Sequence, residues 1–231
     1  MRNPLVPAAV AVAGLAAALA YSRPARRWYL TWGATAGEVT GPLPGDELLA
    51  VPDLTSTRAI SIGAPPSAVW PWLVQMGSGR GGAYTYDWIE NLFGLDMHSA
   101  DEIRPDLQDL AAGDELPLGR NAPAMRVAIL DAERTLAFRS ADGNWVWIFH
   151  LTAAGTGTRL VSRNRIAVPD ASWAARLAYR LVMEPGSLIM ERRMLYGIRE
   201  RAERVTGRRV AGRSPADSPP AAAAPTAADH P

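Results

Sequence analysis

Residues 57–76, TRAISIGAPPSAVWPWLVQM, carry the pattern that decides the fold of this chain. Ile60 and Ile62 alternate with small or polar neighbours, which predicts a half-buried β-strand. Two prolines follow where a helix can begin, because the first amides of a helix have no intrahelical partner. Apolar residues then recur at helical spacing and predict a short helix, which Pro71 kinks or confines and Gly77 ends.

A glycine-rich segment comes next at residues 75–91, QMGSGRGGAYTYDWIEN, with four glycines in six positions. Glycine permits backbone angles and close approaches that a Cβ forbids, so the composition indicates a loop fitted closely to another group and not merely a connection. Thr85 is a predicted N-cap for a second helix that runs to Phe93. Three rings of the segment could form the mouth of a ligand pocket or pack as a loop beneath the end of the sheet: Tyr84, Tyr86 and Trp88.

Arg80 lies between the glycines of this loop. Its guanidinium could hold a carboxylate or phosphate of a ligand through a two-pronged contact. The alternative is an internal ion pair with Asp87, Glu90 or Asp101. The ion pair is the favoured interpretation, because these acidic residues are close in sequence.

No residue is assigned a catalytic role from the sequence. A general acid or base would have to come from Asp87, Glu90 or His98. His98 lies near Asp96 and Asp101, so a His–Asp pair or a weak metal site is conceivable. A capping or exposed loop histidine is the favoured interpretation.

The middle of the chain predicts consecutive β-hairpins that form an antiparallel meander. The strand-like segments are residues 125–129, 136–139, 144–151 and 159–168, separated by turn signals such as Asp142-Gly143. On the third segment Trp145, Trp147, Phe149 and Leu151 fall on one face. The two tryptophans could line an apolar cavity or belong to an ordinary core. The opposite face of this strand carries Val146, Ile148 and His150.

Helix is predicted after Pro169, with a break at Pro185-Gly186. Beyond the break an apolar stripe at three- and four-residue spacing predicts the long helix that a curved sheet would grip. After Gly207 the composition turns to Ala, Pro, Ser and Asp, which predicts a disordered tail over residues 207–231. The stripe consists of Leu188, Leu195, Ile198, Ala202 and Val205.

The N-terminus holds a continuous apolar run from Leu5 to Tyr21. As a helix this run spans roughly 26 Å, slightly less than a hydrocarbon core of about 30 Å. We interpret residues 1–22 as a single-pass membrane anchor. A cleaved signal peptide and a soluble or interfacial helix are the alternatives. Three arginines follow the run, which favours a cytoplasmic location for the folded domain.

Residues 23–56 are predicted to be a juxtamembrane connector with turn chemistry around residues 41–45. Its rings Trp28, Tyr29 and Trp32 could lie at the depth of the membrane interface, which amphipathic rings favour. They could equally cover the surface of the folded domain.

The composition excludes several classes of function. A net charge of +1 gives no large positive field for nucleic acid, and all 24 basic residues are arginine. With no cysteine there is no disulfide, thiol catalysis or thiolate metal site, and three histidines make a multi-histidine metal site implausible. The run Gly77-Ser-Gly-Arg-Gly81 follows a predicted helix and lacks the Lys-Ser/Thr ending, so it is not a nucleotide loop. We therefore expect no metal and no cofactor.

Taken together, these segments resemble the SRPBCC superfamily of START-like or polyketide-cyclase-like helix-grip proteins. Trp32-Gly-Ala-Thr35 and Pro44-Gly-Asp46 resemble in particular a membrane-anchored, uncharacterised branch. The resemblance implies an α+β domain over residues 57–206, a curved antiparallel sheet wrapped around a long C-terminal helix. It also implies a small hydrophobic or amphipathic ligand between them. The resemblance rests on Thr57–Ile62, Ala64–Met76, Thr158–Arg163 and the last helix near Arg204.

The favoured interpretation is a membrane-tethered binding protein for such a ligand. One alternative is an enzyme similar to a polyketide cyclase or aromatase. Another is a structural or partner-binding membrane protein with a filled core. The sequence establishes neither the identity of the ligand, nor catalysis, nor the oligomeric state.

Overall fold

The computed structural model describes residues 21–92, 94–117 and 124–211. In this part of the chain six strands form one curved antiparallel sheet in the order β1-β6-β5-β4-β3-β2. This sheet and a long C-terminal helix make the fold α+β. The strands are β1 (Leu54–Ile62), β2 (Glu115–Leu116), β3 (Met125–Asp131), β4 (Thr135–Ser140), β5 (Trp145–Ala154) and β6 (Gly157–Ile166).

The first and last strands pair along their whole length, from Leu54 opposite Ile166 to Ile62 opposite Thr158. The strand therefore begins at Leu54, three residues before the predicted start of the domain at Thr57. The four meander strands β3 to β6 follow the predicted hairpins. Each extends one to three residues beyond the predicted segment on at least one side, except that β6 ends at Ile166 rather than residue 168.

Two short helices, α3 (Pro66–Val74) and α4 (Asp87–Leu92), lie between β1 and β2. Helix α3 begins at the predicted prolines, keeps Pro71 inside and buries Val69 and Leu73. The predicted N-cap of α4 is wrong, because the helix begins at Asp87. Thr85 Oγ1 is buried and has no hydrogen-bond partner among the described residues.

The C-terminal helix is continuous from Trp173 to Ala211, so the predicted break at Pro185-Gly186 is wrong. Its parts are α5 (Trp173–Ala178), a π-helical turn (Tyr179–Met183) and α6 (Glu184–Ala211). Pro185 has no amide hydrogen to donate to the carbonyl of Leu181. In the π-helical turn directly before it the hydrogen bonds join residues five apart instead of four, so the helix can continue without a bond from Pro185. The hydroxyl of Tyr21 donates to the oxygen of Leu181 at 2.8 Å.

The main core lies between α6 and the inner face of the sheet. Leu195, Ile198 and Ala202 have no exposed surface, which confirms the predicted apolar stripe. They pack in one cluster with Phe149 and Leu160 of the sheet. The strand pattern and the helix pattern therefore meet as the sequence predicts, and the helix is held along its centre.

The outer face of the sheet is covered as well. Residues 23–50 contain α1 (Arg23–Leu30), α2 (Ala36–Thr40) and a 3₁₀ helix (Asp46–Leu49). Leu48 and Leu49 pack on a second apolar cluster that includes Ile148. The segment predicted as a connector is thus folded against the sheet.

Arginines of β6 fasten this segment. Arg159 pairs with Glu38 at 2.7 Å, and this hydrogen bond lowers the pKa of Glu38 to about 2. Arg163 and Arg165 both pair with Asp46, at 2.5 and 3.3 Å. The three arginines reach the same outer face because they lie at alternate positions of one strand.

Two of the three aromatic residues after the apolar run cover the surface of the folded domain, as one of the two alternatives predicts. Tyr29 is buried, and Trp32 packs against Tyr196 with ring centroids 5.6 Å apart, so these rings cover the surface of the domain. Trp28 is exposed.

Residues 1–20 of the predicted anchor (residues 1–22) and residues 212–231 of the predicted tail (residues 207–231) lie outside the described residues, while residues 207–211 belong to α6. Within residues 21–211, apart from the gaps, no helix is both long and apolar enough to cross a bilayer. The anchor and the tail stay predictions.

Replacing Leu195 with Ala should lower the free energy of unfolding by about 2–5 kcal/mol, because the side chain is fully buried between helix and sheet. Urea denaturation followed by circular dichroism measures the change. Leu92→Ala is the matched control, since Leu92 is 76% exposed and should change stability by less than about 0.5 kcal/mol. An unchanged midpoint and slope for Leu195→Ala would contradict this packing.

Candidate functional site

The glycine-rich loop folds back on itself and on the segment that follows α4. The backbones of Gly77 and Gly82 exchange two hydrogen bonds, at 3.0 and 3.1 Å. Gly82 has a φ of +70°, and a Cβ there would lie 2.7 Å from the backbone of Ser99. The loop can therefore approach Ser99 only with glycine at this position.

Tyr84 is the fixed point of the loop. It has a φ of 59°, which is uncommon for a residue with a Cβ, and it is almost fully buried. Its hydroxyl donates to the carbonyl of Trp72 at 2.8 Å, and the guanidinium of Arg201 lies 4.8 Å from its ring centroid. Burial raises the pKa of Tyr84 above its ordinary value. The side chain thus links α3 to α6 and holds the strained backbone in place.

An open pocket of about 390 Å³ lies between this loop, the start of α4 and the long helix. It brings together the predicted rings Tyr84, Tyr86 and Trp88, of which Trp88 is 70% exposed. The other three predicted site residues do not line it. The remaining lining residues are Thr85, Asp87, Ser99, Asp101, Arg193 and Arg201.

The charged groups of the pocket differ in how completely they are bonded. Both oxygens of Asp87 accept hydrogen bonds from Ser99, one from the amide and one from the hydroxyl. Arg201 donates to the carbonyl of Ala100 at 2.7 Å and pairs with Asp101. Arg193 has only a long contact of 3.3 Å with Glu200, and both side chains are partly exposed. Arg193 can therefore turn toward a ligand at little cost.

Arg80 points elsewhere. Its guanidinium donates to the carbonyls of Val74 and Leu107, at 3.2 and 3.0 Å. The predicted ion pair with Asp87, Glu90 or Asp101 is wrong. Val74 is the last residue of α3, so its carbonyl has no partner within the helix and can accept from Arg80. A ligand contact of Arg80 stays a prediction.

Trp145 and Trp147 stack on each other, with centroids 5.9 Å apart, on the inner face of the sheet. Trp147 lines an apolar slit of about 40 Å³ together with Gly77, Met97 and Phe138. A space of this size holds about one water molecule, whereas ligand pockets are about 300–1,000 Å³. In the described residues the two tryptophans therefore fit the alternative of ordinary core packing.

Behind the tryptophans lies a buried polar network. Glu191 of α6 pairs with Arg58 of β1 and accepts a hydrogen bond from Ser162 at 2.6 Å. The indole of Trp147 donates to the same hydroxyl at 3.0 Å. The indole of Trp145 likewise donates to Asn164, whose amide donates to Glu191.

The importance of Arg58 and Glu191 was not predicted from the sequence, although their positions in the apolar patterns indicate it. Arg58 is two residues before Ile60, so it lies on the buried face of its strand. Glu191 is four residues before Leu195, so it lies on the apolar stripe of the helix. A charged residue on each of two facing apolar surfaces is the pattern that a buried ion pair leaves.

Neither of the two histidines in the described residues lines the pocket. His98 is exposed and lies 3.3 Å from Asp96, in keeping with a loop histidine. His150 is half-buried, and burial lowers its pKa. Among the described residues no group of three or more histidines and acidic residues could hold a metal.

Comparisons with known proteins give weak likenesses. No family model and no curated protein matches the chain. Among solved structures, NE0264 from Nitrosomonas europaea is 16% identical over 67% of this chain and 97% of that one, with a TM-score of 0.43. The KanY protein (ms6282) is 14% identical over 65% and 97%, with a TM-score of 0.42. A Polyketide_cyc-like protein, Cgl2372 from Corynebacterium glutamicum, is 16% identical over 68% and 93%, with a TM-score of 0.34.

Replacing Glu191 with Leu should cost about 3–5 kcal/mol of unfolding free energy, because it leaves the buried guanidinium of Arg58 without its partner. The double variant Arg58→Met with Glu191→Leu should be less destabilised than the single variant. Urea denaturation of the two single variants and the double variant measures the coupling. A double variant as unstable as the sum of the single variants would contradict a direct interaction.

Proposed function

We propose that this chain binds a small amphipathic molecule in the open pocket between the glycine-rich loop and the long helix. The observation that carries the proposal is the pocket itself. Its volume of about 390 Å³ falls within the range of ligand sites. It combines aromatic rings with a few charged groups, which is the composition that such sites share.

The chemistry of the lining suggests the kind of ligand. Tyr86 and Trp88 are partly to largely exposed and offer flat apolar surface to a ring or an alkyl chain. Each oxygen of Asp87 already accepts a hydrogen bond from Ser99, whereas Arg193 is only loosely held. A ligand with an apolar body and an anionic end would satisfy both features.

This pocket differs from the location that the SRPBCC resemblance implies, between sheet and helix. The two spaces are nevertheless neighbours. Tyr84 and Ser99 line the pocket, while Ala83 and Met97 line the apolar slit beside Trp147. A shift of these two segments would join the pocket to the slit, so the apolar end of a ligand could enter the space under the sheet.

Tethering to a membrane is part of the same proposal. Its support is the apolar run Leu5–Tyr21 and the arginines that follow it, Arg23, Arg26 and Arg27. The folded domain would lie on the cytoplasmic side. An amphipathic ligand partitions into bilayers, and a binding protein held at the membrane would meet it there.

A cyclase-like enzyme is the second candidate, and Glu90 is the observation that favours it. Glu90 is buried, and its Oε2 has no hydrogen-bond partner among the described residues. Burial raises the pKa of its carboxyl, and the charge of Asp87 raises it further. A raised carboxyl pKa is the direction of shift that general acid catalysis requires.

The pocket can be tested with a pair of fluorescent naphthalene probes, one anionic (anilinonaphthalene sulfonate) and one neutral (N-phenylnaphthylamine). Trp88→Ala should weaken the binding of both about 3- to 10-fold, because it removes a ring from the pocket. Arg193→Ala should weaken the anionic probe more than the neutral one. Fluorescence titration of the folded variants gives the dissociation constants.

Two further variants serve as controls in this titration. Leu92→Ala removes an exposed apolar side chain outside the pocket and should leave both affinities unchanged. Trp147→Ala tests the space under the sheet. If it abolished binding while Trp88→Ala had no effect, the ligand would lie between sheet and helix and the open pocket would be excluded.

The environment of Glu90 can be tested by the pH dependence of stability. Because its folded-state pKa is raised, the carboxyl favours the fold below its unfolded pKa of about 4.3, and this contribution is lost as the pH rises through the raised value. Glu90→Gln mimics the protonated carboxyl. The variant should therefore be more stable than wild type at pH 7, and the difference should shrink toward pH 4.

Thermal unfolding between pH 4 and pH 8 measures this difference. Glu102→Gln, at an exposed position, is the matched control and should follow the wild type throughout. A constant difference between Glu90→Gln and wild type over the whole range would show that the carboxyl is solvated. The acid role of Glu90 would then be excluded.

A further inference from the structure

The first part of the C-terminal helix is largely exposed, although Arg176 fastens it to the domain by pairing with Asp53 at 2.9 Å and donating to the carbonyl of Val168. All residues from 172 to 178 are exposed, as are Val182 and Met183 in the π-helical turn. Trp173 is 79% exposed and Val182 65%. The same helix is fully buried at Leu195 and Ile198. We refer to residues 173–183 as the protruding helix.

The protruding helix is apolar although it is exposed. Nine of its eleven residues, WAARLAYRLVM, are apolar or aromatic, and the other two are Arg176 and Arg180. The apolar surface is not a single stripe. Trp173 and Leu177 share one face, whereas the consecutive residues Val182 and Met183 point in different directions. The exposed apolar surface is therefore broader than the stripe that one packed helix would cover, and the boundary between headgroups and acyl chains can bury such a broad face.

The N-terminal apolar run reaches the domain at this same place. Tyr21 ends the run, and its hydroxyl donates to the carbonyl of Leu181 in the protruding helix at 2.8 Å. The described part of the chain therefore begins beside this helix. Trp28 of α1 is also exposed and lies seven residues after Tyr21.

The charges at this end of the molecule suit a negatively charged surface. Arg23, Arg27 and Arg180 are all exposed. Glu184 follows the protruding helix directly, but it is buried and pairs with Arg26 at 2.7 Å. Its charge is thus compensated and does not oppose an approach to anionic groups.

We propose that the protruding helix lies on the surface of a lipid bilayer that contains anionic lipids, beside the N-terminal anchor. Eleven residues span about 16 Å as a helix, about half of a hydrocarbon core, so the helix lies along the surface and does not cross it. Its exposed apolar side chains enter the boundary between headgroups and acyl chains, and the exposed Arg23, Arg27 and Arg180 contact the headgroups. This proposal rests on the membrane tether proposed above.

The arrangement gives the binding pocket access to the membrane. Arg193 of the pocket follows Met183 by ten residues, which is about 15 Å along the same helix. An amphipathic molecule of a length near 15 Å could keep its tail at the bilayer while its anionic end reaches Arg193. The protruding helix would then set both the distance and the orientation of the pocket relative to the lipid.

Because the chain has no cysteine, single-cysteine variants of the full-length protein give a direct test. Val182→Cys places an environment-sensitive fluorophore on the protruding helix, Val12→Cys places it in the proposed anchor, and Val51→Cys is the control at an 86% exposed position. Each labelled protein is reconstituted in vesicles of phosphatidylcholine with phosphatidylglycerol. Spin-labelled lipids then quench any fluorophore that lies at acyl-chain depth.

The proposal predicts a blue shift and quenching at residues 182 and 12 and neither at residue 51. Quenching at residue 12 alone would overturn the surface position of the helix and leave the tether intact. Quenching at none of the three positions would overturn both. Disulfide-linked dimers of unlabelled Val182→Cys in the absence of lipid, with no quenching in vesicles, would identify a second copy as the occupant and overturn the proposal. Replacing anionic lipid with phosphatidylcholine should reduce quenching at residue 182 more than at residue 12.

Discussion

The buried ion pair between Arg58 and Glu191 determines how the long helix sits on the sheet. Both charges are removed from water, so each depends on the other and on the polar groups around them. Arg58 also donates to the carbonyl of Tyr29, which brings α1 into the same arrangement. Ser162 and Asn164 complete the shell around Glu191. A helix shifted by one turn would leave these groups unpaired, whereas apolar contacts alone would tolerate the shift.

A second set of arginines makes the opposite face of the sheet unavailable for a ligand. Arg159 and Arg163 hold Glu38 and Asp46, and the segment that carries these acids covers the outer face. The inner face is filled by the helix and by the stacked tryptophans. Space for a small molecule is therefore left at the end of the layer between sheet and helix, where the glycine-rich loop and the helix diverge.

The meander and the apolar stripe of the last helix were predictable because alternation and helical spacing are local properties of the sequence. The continuity of the helix through Pro185 was not, since it depends on a π-turn and on the hydroxyl of Tyr21, 164 residues earlier. The candidate pocket was predictable in part. The rings near Tyr84 could be identified from composition, but Arg193 belongs to a helix more than a hundred residues away. The partners of Arg80 were missed because backbone carbonyls leave no trace in side-chain patterns.

The contact between Gly197 and Tyr84 joins a loop and a helix that are more than a hundred residues apart in the sequence. A Cβ at residue 197 would lie 2.4 Å from the carbonyl oxygen of Tyr84, so the helix can approach the loop this closely only with glycine at this position. Strand β1 can likewise pair only after β6 has been synthesised, whereas the hairpins between β3 and β6 need only contacts between neighbouring strands. On a growing chain the meander can form first, and the wall of the pocket closes only when the last helix docks. The proposed pocket is therefore complete only after this helix has docked, because Arg193 and Arg201 of the helix form one of its walls.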